Sequence, residues 1–339
     1  MPTTETIASL GENESLRRTI SRLNLATSAL VGPGDDAAVV AAPDGRFVVT
    51  TDTLVQGHDF RTDWSSAFDL GWKAIASNLA DVAAMGATPS ALVVSLVAPA
   101  DTPIEWLEQF AAGLREACLA LSPQAAVVGG DLASGNQIVV AVTAHGDLEG
   151  RAPVLRSGAK PGDVLAVAGT LGRAACGLAL LQAGREDWVR SYDELVSVQL
   201  RPNPPLGAGV EAAQAGATSM LDVSDGLVRD AARVAKASGV SVKIDPSLLI
   251  GYEATLEGPA QALTTGGLIA GSAEALTRAW VLGGGEDHGL LATFPAGTNL
   301  PRAFKRIGEV VATANGEPQV FVGDNPADPA AFGWDSVRG

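Results

Sequence analysis

The 339-residue sequence predicts an α/β (α+β) protein made of two domains, and three observations carry that expectation. Apolar runs of strand length recur along the whole chain, and helical periodicities fill several of the gaps between them, the pattern of sheets covered by helices. Apolar residues make up 47% of the chain, ample for buried cores. From Leu148 to Asp163 the segment LEGRAPVLRSGAKPGD is dense in Gly, Pro and charge. Such punctuation reads as a junction. It places a boundary near residue 150, giving domains 1–150 and 151–339 of ordinary size.

The elements follow in order. RFVVTTDTLV reads as a strand. In SAFDLGWKAIASNLADVAAMG, Trp72, Ile75, Leu79 and Val82 fall at helical spacing and Gly86 supplies a stop. ALVVSLVAP returns to strand, IEWLEQFAAGLREACLAL to helix, and AAVVGG and QIVVAVTAHG to strand. Past the junction, DVLAVAG, TSMLDVS, VSVKID and GLLATF are strand-like. SDGLVRDAARVAKASG reads as a helix with Ser224 as its N-cap, acids early, Lys236 late and Gly239 beyond its end. GTLGRAACGL (Gly169 to Leu178) sets glycines before a helix, which suits either an anion at free N–H groups or tight strand-to-helix packing.

Charge narrows the function classes. With 38 acidic against 23 basic residues the formal charge is −15, which argues against nucleic-acid or anionic-membrane partners. No run of about 18 uninterrupted apolar residues offers a membrane span. MPTTETIASLGENES lacks the layout of a signal peptide, so the chain reads as cytoplasmic. Cys118 and Cys176 fall in Ala/Leu-rich helical patterns and read as core thiols.

Several acids lie next to glycines or apolar runs. Asp35 and Asp36 follow the Gly-Pro-Gly turn of VGPGDDAAVV, where two adjacent carboxylates repel each other. Asp52 follows FVVTT at or near a strand end, and Asp131 closes VVGGD. Asp81 lies three residues from Asn78 on one helical face. Asp222 and Asp225 flank Ser224, and Glu286 and Asp287 follow LGGG. Taken singly, each has an ordinary reading as a turn residue, a helix-start acid or a solvated position. As a set they are oxygen donors without a His or Cys cluster, because His58, His145 and His288 are scattered. Such donors suit Mg²⁺, which takes its remaining ligands from phosphates and water. No GxxxxGK[ST] is present, so the residues point to a Mg²⁺–nucleotide phosphate site without a P-loop.

GPGDDAAVV, TTDTLVQGHDF, KAIASNLADVAAMGATP, VVGGDLASG, RSGAKPGD, LDVSDGL and LGGGEDHGLL together resemble the thiamine-monophosphate kinases, from about residue 15 to the terminal GW. The resemblance implies the two-domain fold of the aminoimidazole ribonucleotide synthetase superfamily. Its N-terminal mixed sheet pairs across a homodimer, a C-terminal α/β domain follows, and ATP lies between the two. It also implies transfer of the γ-phosphoryl group of ATP to thiamine monophosphate, assisted by several Mg²⁺ ions.

By matching motif, Asp36, with Asp35 beside it, would bind metal, as would Thr50, Thr51, Asp52, Asp81, Asp131, Asp222 and Asp225. Gly130, Asp131, Arg156 and Ser224 would contact ATP, and Glu286 the thiamine end of the substrate. No catalytic base is implied, since the acceptor phosphate is already an anion with a second pKa of about 6. Two positions depart from the family. Asp59 stands where a histidine precedes the phenylalanine, with His58 one residue earlier, so Asp59 is a candidate substrate contact. The terminal His-Phe is absent, leaving Trp334 as the aromatic that would stack on thiamine. The competing readings are an aminoimidazole ribonucleotide synthetase-like enzyme and a non-enzymatic divalent-cation-binding protein.

Overall fold

The computed structural model describes residues 5–24, 26–31, 38–314 and 316–333. Asp35, Asp36 and Trp334 lie outside the described residues. The chain forms two compact units, Met1–Val82 with Ala87–Gly150, and Ala83–Gly86 with Arg151–Gly339. Among the described residues no helix is long and apolar enough to cross a membrane.

The first unit begins with helices α1 (Ile7–Leu10) and α2 (Glu12–Ile20) and a short ribbon, β1 (Ala29–Val31) with β2 (Val39–Val40). It continues as β3 (Val48–Val55), α3 (Ala67–Ala84), β4 (Thr88–Ala98), α4 (Ile104–Leu121), β5 (Val127–Ser134) and β6 (Val139–Asp147). The four long strands form a mixed sheet in the order β3-β6-β4-β5, with β4 and β5 parallel and the other pairs antiparallel.

Strand alternation gives this sheet two chemically different faces. On β3, Val49, Thr51 and Thr53 are exposed, while Val48, Thr50, Asp52 and Leu54 are half-buried. Asp52 pairs with Val142, and Val140, Val142 and Ala144 are buried on β6. Ile75, Leu79 and Val82 make α3 apolar toward the core. Helices α3 and α4 cross backbone to backbone, because a Cβ on Gly71 would strike the Phe110 carbonyl and one on Gly113 the Phe68 carbonyl.

The second unit runs β7 (Val164–Ala168), α5 (Arg173–Ala183), α6 (Glu186–Ser191), α7 (Asp193–Leu200), α8 (Leu206–Gln214), β8 (Ser219–Val223), α9 (Leu227–Ser238) and β9 (Ser241–Ile244). It continues with α10 (Ile250–Glu253), α11 (Glu257–Thr265), α12 (Ala273–Gly283), β10 (Gly289–Phe294), β11 (Phe304–Val311), β12 (Val320–Val322) and β13 (Asn325–Ala327). Its seven strands take the order β13-β12-β9-β11-β7-β10-β8, with only β12–β9 parallel. Every residue of β8 and β10 is buried, the polar Ser219, Asp222 and Thr293 among them, so these strands are covered on both faces.

Three local expectations are corrected. Asp52 lies inside β3, not at its end, and Asp131 lies inside β5, because that strand continues through the glycine pair to Ser134. Ser224 does not cap α9: Gly226 is the N-cap, and the Asp230 side chain takes the amides of Asp225 (3.0 Å) and Gly226 (3.1 Å) instead.

Candidate functional site

In the first unit, helix α3 docks its polar residues on alternate positions of β3. Thr50 donates its hydroxyl to Asp81 Oδ2 at 2.8 Å. Asn78 Oδ1 accepts the Asp52 amide at 3.2 Å, while its Nδ2 donates to the Ala74 carbonyl at 2.9 Å, which fixes the carboxamide's orientation. Thr50, Asp52, Asn78 and Asp81 therefore gather where the sheet meets α3.

Thr51 and Asp131 take the other face. Thr51 pairs with Thr143, and Asp131 pairs with Ser95, whose neighbour across β6 is Ala141 opposite the exposed Thr53. A cavity of about 1320 Å³ in this unit is lined by Gly130, Asp131, Val93, His145, Arg46 and Phe47, among others. Gly130 is needed there because a Cβ would strike the Val94 carbonyl. Asp59 folds back on β3, its Oδ2 accepting the Val55 amide at 2.7 Å, and His58 beside it is exposed.

In the second unit, the β8–α9 turn and the loop before β10 are joined through their backbones. The Glu286 amide donates to the Ser224 carbonyl at 2.9 Å, and the His288 amide to the Val223 carbonyl at 3.2 Å. Glu286 (φ 64°) and His288 (φ 50°) both occupy left-handed backbone that side-chain-bearing residues disfavour. Gly285, in the loop between α12 and β10, admits no Cβ, because the Ser224 carbonyl fills that space.

Charges crowd this turn. Asp222 and His288 are both buried, with His288 Nδ1 at 3.2 Å from Asp222 Oδ2. Arg233 pairs with both Asp225 and Asp230. Burial pushes the Asp230 carboxyl up to about 7, the charge of Asp222 adds to the rise, and Arg233 opposes it. Arg156 is exposed, and its carbonyl accepts the Ser238 hydroxyl at 3.1 Å.

The start of α5 is occupied by a carboxyl group of the protein itself. Asp287 accepts the Thr170 hydroxyl (2.7 Å) and the amides of Arg173 (3.2 Å) and Ala174 (3.1 Å). Burial raises its pKa despite these bonds. Packing also governs the segment, since a Cβ on Gly172 would meet the Trp280 backbone.

The sequence reading missed Gln199, Asp230, Arg233 and His288. Asp230 and Arg233 had a usable signal, being an acid and a base three residues apart on α9. Gln199 donates Nε2 to Glu286 Oε2 at 2.5 Å across 87 residues of chain, and nothing local announces that pairing. Among the described residues no group of three or more His, Cys, Asp or Glu side chains is placed to hold a metal ion. The oxygen donors stand instead in small sets, such as Thr50 with Asp81.

A mixed four-stranded sheet followed by a seven-stranded α/β unit, with acids on both, defines a protein of the AIR synthase related class. The AIR synthase related N-terminal domain matches residues 34–148 and the C-terminal domain residues 160–320. The thiamine-monophosphate kinase of Mycobacterium tuberculosis (strain CDC 1551 / Oshkosh) is 45% identical over 331 residues, covering 98% of this chain and 93% of its own. The crystal structure of the thiamine-monophosphate kinase from Stenotrophomonas maltophilia K279a superposes with a TM-score of 0.73 at 32% identity, covering 92% of this chain and 95% of that one. AaThiL complexed with AMPPCP and TMP gives 0.72 at 30% identity, covering 88% and 90%. The chain belongs to the thiamine-monophosphate kinase family.

Proposed function

We propose that this chain is an enzyme that transfers the γ-phosphoryl group of ATP to the phosphate of thiamine monophosphate, giving thiamine diphosphate and ADP. One observation carries the reading beyond kinship: Thr50 and Asp81, both expected from sequence as metal ligands, meet as neighbouring oxygen donors at 2.8 Å on the helix-facing side of β3. Oxygen-only donors in small sets fit Mg²⁺ that arrives with a nucleotide, since such an ion uses one or two protein carboxylates and completes its shell with phosphate and water. Mg²⁺ bound there would screen the repulsion between the two phosphate groups.

The chain's own residues supply position. Asp81, held by Thr50, and Asp52, whose amide is fixed by Asn78, would hold the metal in the first unit. Asp222 and Asp225 would do so in the second, with Asp35 and Asp36 also assigned to metal; Thr51 and Asp131, on the opposite face of the first sheet, are assigned to metal there and not beside Asp81. Gly130 and Asp131, on the cavity wall, together with Arg156 and Ser224, are assigned to ATP. Glu286, Asp59 and Trp334 are assigned to the thiamine end. No side chain has to remove a proton, because a phosphate monoester with a second pKa of about 6 is already a nucleophilic dianion at neutral pH. The step is in-line transfer governed by alignment and charge.

Residues 1–150 are assigned as the nucleotide, Mg²⁺ and dimerisation domain and 151–339 as the C-terminal α/β domain. The open face of the first sheet supports a second copy of this chain as partner, since it presents Val49 at 56% and Val93 at 36% exposure. A cytoplasmic location is supported by two buried cysteines that form no disulfide.

Incubation with Mg-ATP and thiamine monophosphate, followed by ³¹P NMR, tests the activity. A growing diphosphate doublet matched by ADP is expected. No turnover, together with activity on formylglycinamidine ribotide, would overturn the reading in favour of the synthetase.

A further inference from the structure

Glu286, the residue assigned to the thiamine end of the substrate, is held by a partner from a distant helix. Gln199 sits on the last turn of α7, is 6% exposed, and donates Nε2 to Glu286 Oε2 at 2.5 Å. A carboxamide can bond a carboxylate only through its nitrogen, so this contact fixes which way the Gln199 head points. The consequence falls on the other atom: Gln199 Oε1 is buried and has no hydrogen-bond partner among the described residues. Leaving a buried carbonyl oxygen unpartnered opposes folding. An apolar side chain of similar length would fill the same space without that defect, so core packing does not call for glutamine here.

Glu286 itself carries a second disfavoured feature, its left-handed backbone, held by the hydrogen bond its N–H donates to the Ser224 carbonyl at 2.9 Å. Backbone and side chain are thus each constrained at local expense. Such outliers gather where a group must be presented in one geometry.

We propose that Gln199 is a positioning residue for substrate specificity: its Nε2 clamps the Glu286 carboxylate in a single orientation toward the amino-bearing, cationic ring system of the substrate. The inference rests on the assignment of Glu286 to that ring system. It predicts an effect confined to the acceptor substrate. A charge-assisted hydrogen bond that pre-sets a binding carboxylate acts on substrate affinity, while the phosphates are aligned elsewhere.

Steady-state kinetics of the full-length enzyme test this with Gln199→Met, which keeps length and removes the donor, and Gln199→Glu, which keeps shape and offers only an acceptor. Both are expected to raise the KM for thiamine monophosphate roughly tenfold, with kcat and the KM for ATP within about twofold of wild type. Glu286→Gln is expected to raise the same KM. Adding Gln199→Met to it should then have less than a roughly twofold further effect, because the clamp no longer has its carboxylate. If Glu286→Gln raises the KM and both Gln199 variants leave it unchanged, the positioning role is overturned and the Glu286 assignment stands. If Glu286→Gln leaves the KM unchanged, that assignment fails and the inference fails with it. A fall in kcat and in both affinities together, with a lowered melting temperature, would show a structural role and overturn the proposal. If the Met variant does not fold, the near-isosteric Glu variant decides alone.

Discussion

Thr50 and Asp81 show how a single hydrogen bond assigns work to a side chain. The hydroxyl donates and the carboxylate accepts, and the role proposed for Asp81 asks for its charge rather than its shape. Asp81→Asn should lower kcat/KM roughly 10²- to 10³-fold while the circular dichroism spectrum and melting temperature stay close to wild type. Near-normal turnover at saturating Mg²⁺ would remove Asp81 from the site. The two thiols make the opposite case. Burial lifts Cys118 and Cys176 from 9.0 to about 12, so at pH 8 only about one thiol in 10⁴ is ionised. Alkylation of the native protein should therefore be slow and rise sharply in denaturant; rapid native labelling would contradict their burial.

Asp287 links folding to pH. Its folded pKa lies above the unfolded value of 3.8 because burial disfavours the charge. From about pH 4 upward to the raised value, the native state keeps a proton that the unfolded chain has lost, so this group's contribution makes stability fall as pH rises through that window. Asp287→Asn should flatten that part of the urea-midpoint profile, and an unchanged slope would show that Asp287 is ionised when folded. At this scale the legible residues were those whose partners repeat at helical spacing, as Asn78 and Asp81 do on α3. Gln199 was not legible, because its partner lies 87 residues away.

Elements obeyed the sequence where period and punctuation agreed. Helix α4 runs from Ile104 to Leu121, the span its apolar spacing marks, and α9 stops at a left-handed Gly239. The start of α9 differs because Ser224 has the chemistry of a cap, yet the helix begins two residues later and Asp230 inside it reaches back to the amides of Asp225 and Gly226. Strand β11 escaped notice because FKRIGEVV carries three charges and a glycine, and its pairing with β7 shifts register between Arg306 and Gly308. The crossing of α3 and α4 depends on Gly71 and Gly113, which let main chain touch main chain. Gly113→Ala should destabilise the protein by about 1–3 kcal/mol through overpacking, read from urea unfolding. An unchanged midpoint would mean that the helices separate without penalty.

For the whole molecule, both sheets were legible in outline, whereas the pairing order β13-β12-β9-β11-β7-β10-β8 was not, because strand order is a property of long-range closure rather than of any segment. The open face of the first sheet leads to a prediction at this scale. Val93→Glu places a charge beside Thr143 on the open face that also carries Val49, and should shift the proposed dimer to monomer in analytical ultracentrifugation. A wild-type monomer would remove the proposed interface, and an unshifted dimer in the variant would move it elsewhere. The alternation of β3 has one further consequence. Its odd and even positions face opposite sides, so inserting or deleting one residue between Val48 and Asp52 would swap every assignment downstream of the change and turn Asp52 toward the side now held by Thr51 and Thr53. A paired insertion would preserve phase, so lengthening of this strand in related chains is expected to come in even steps.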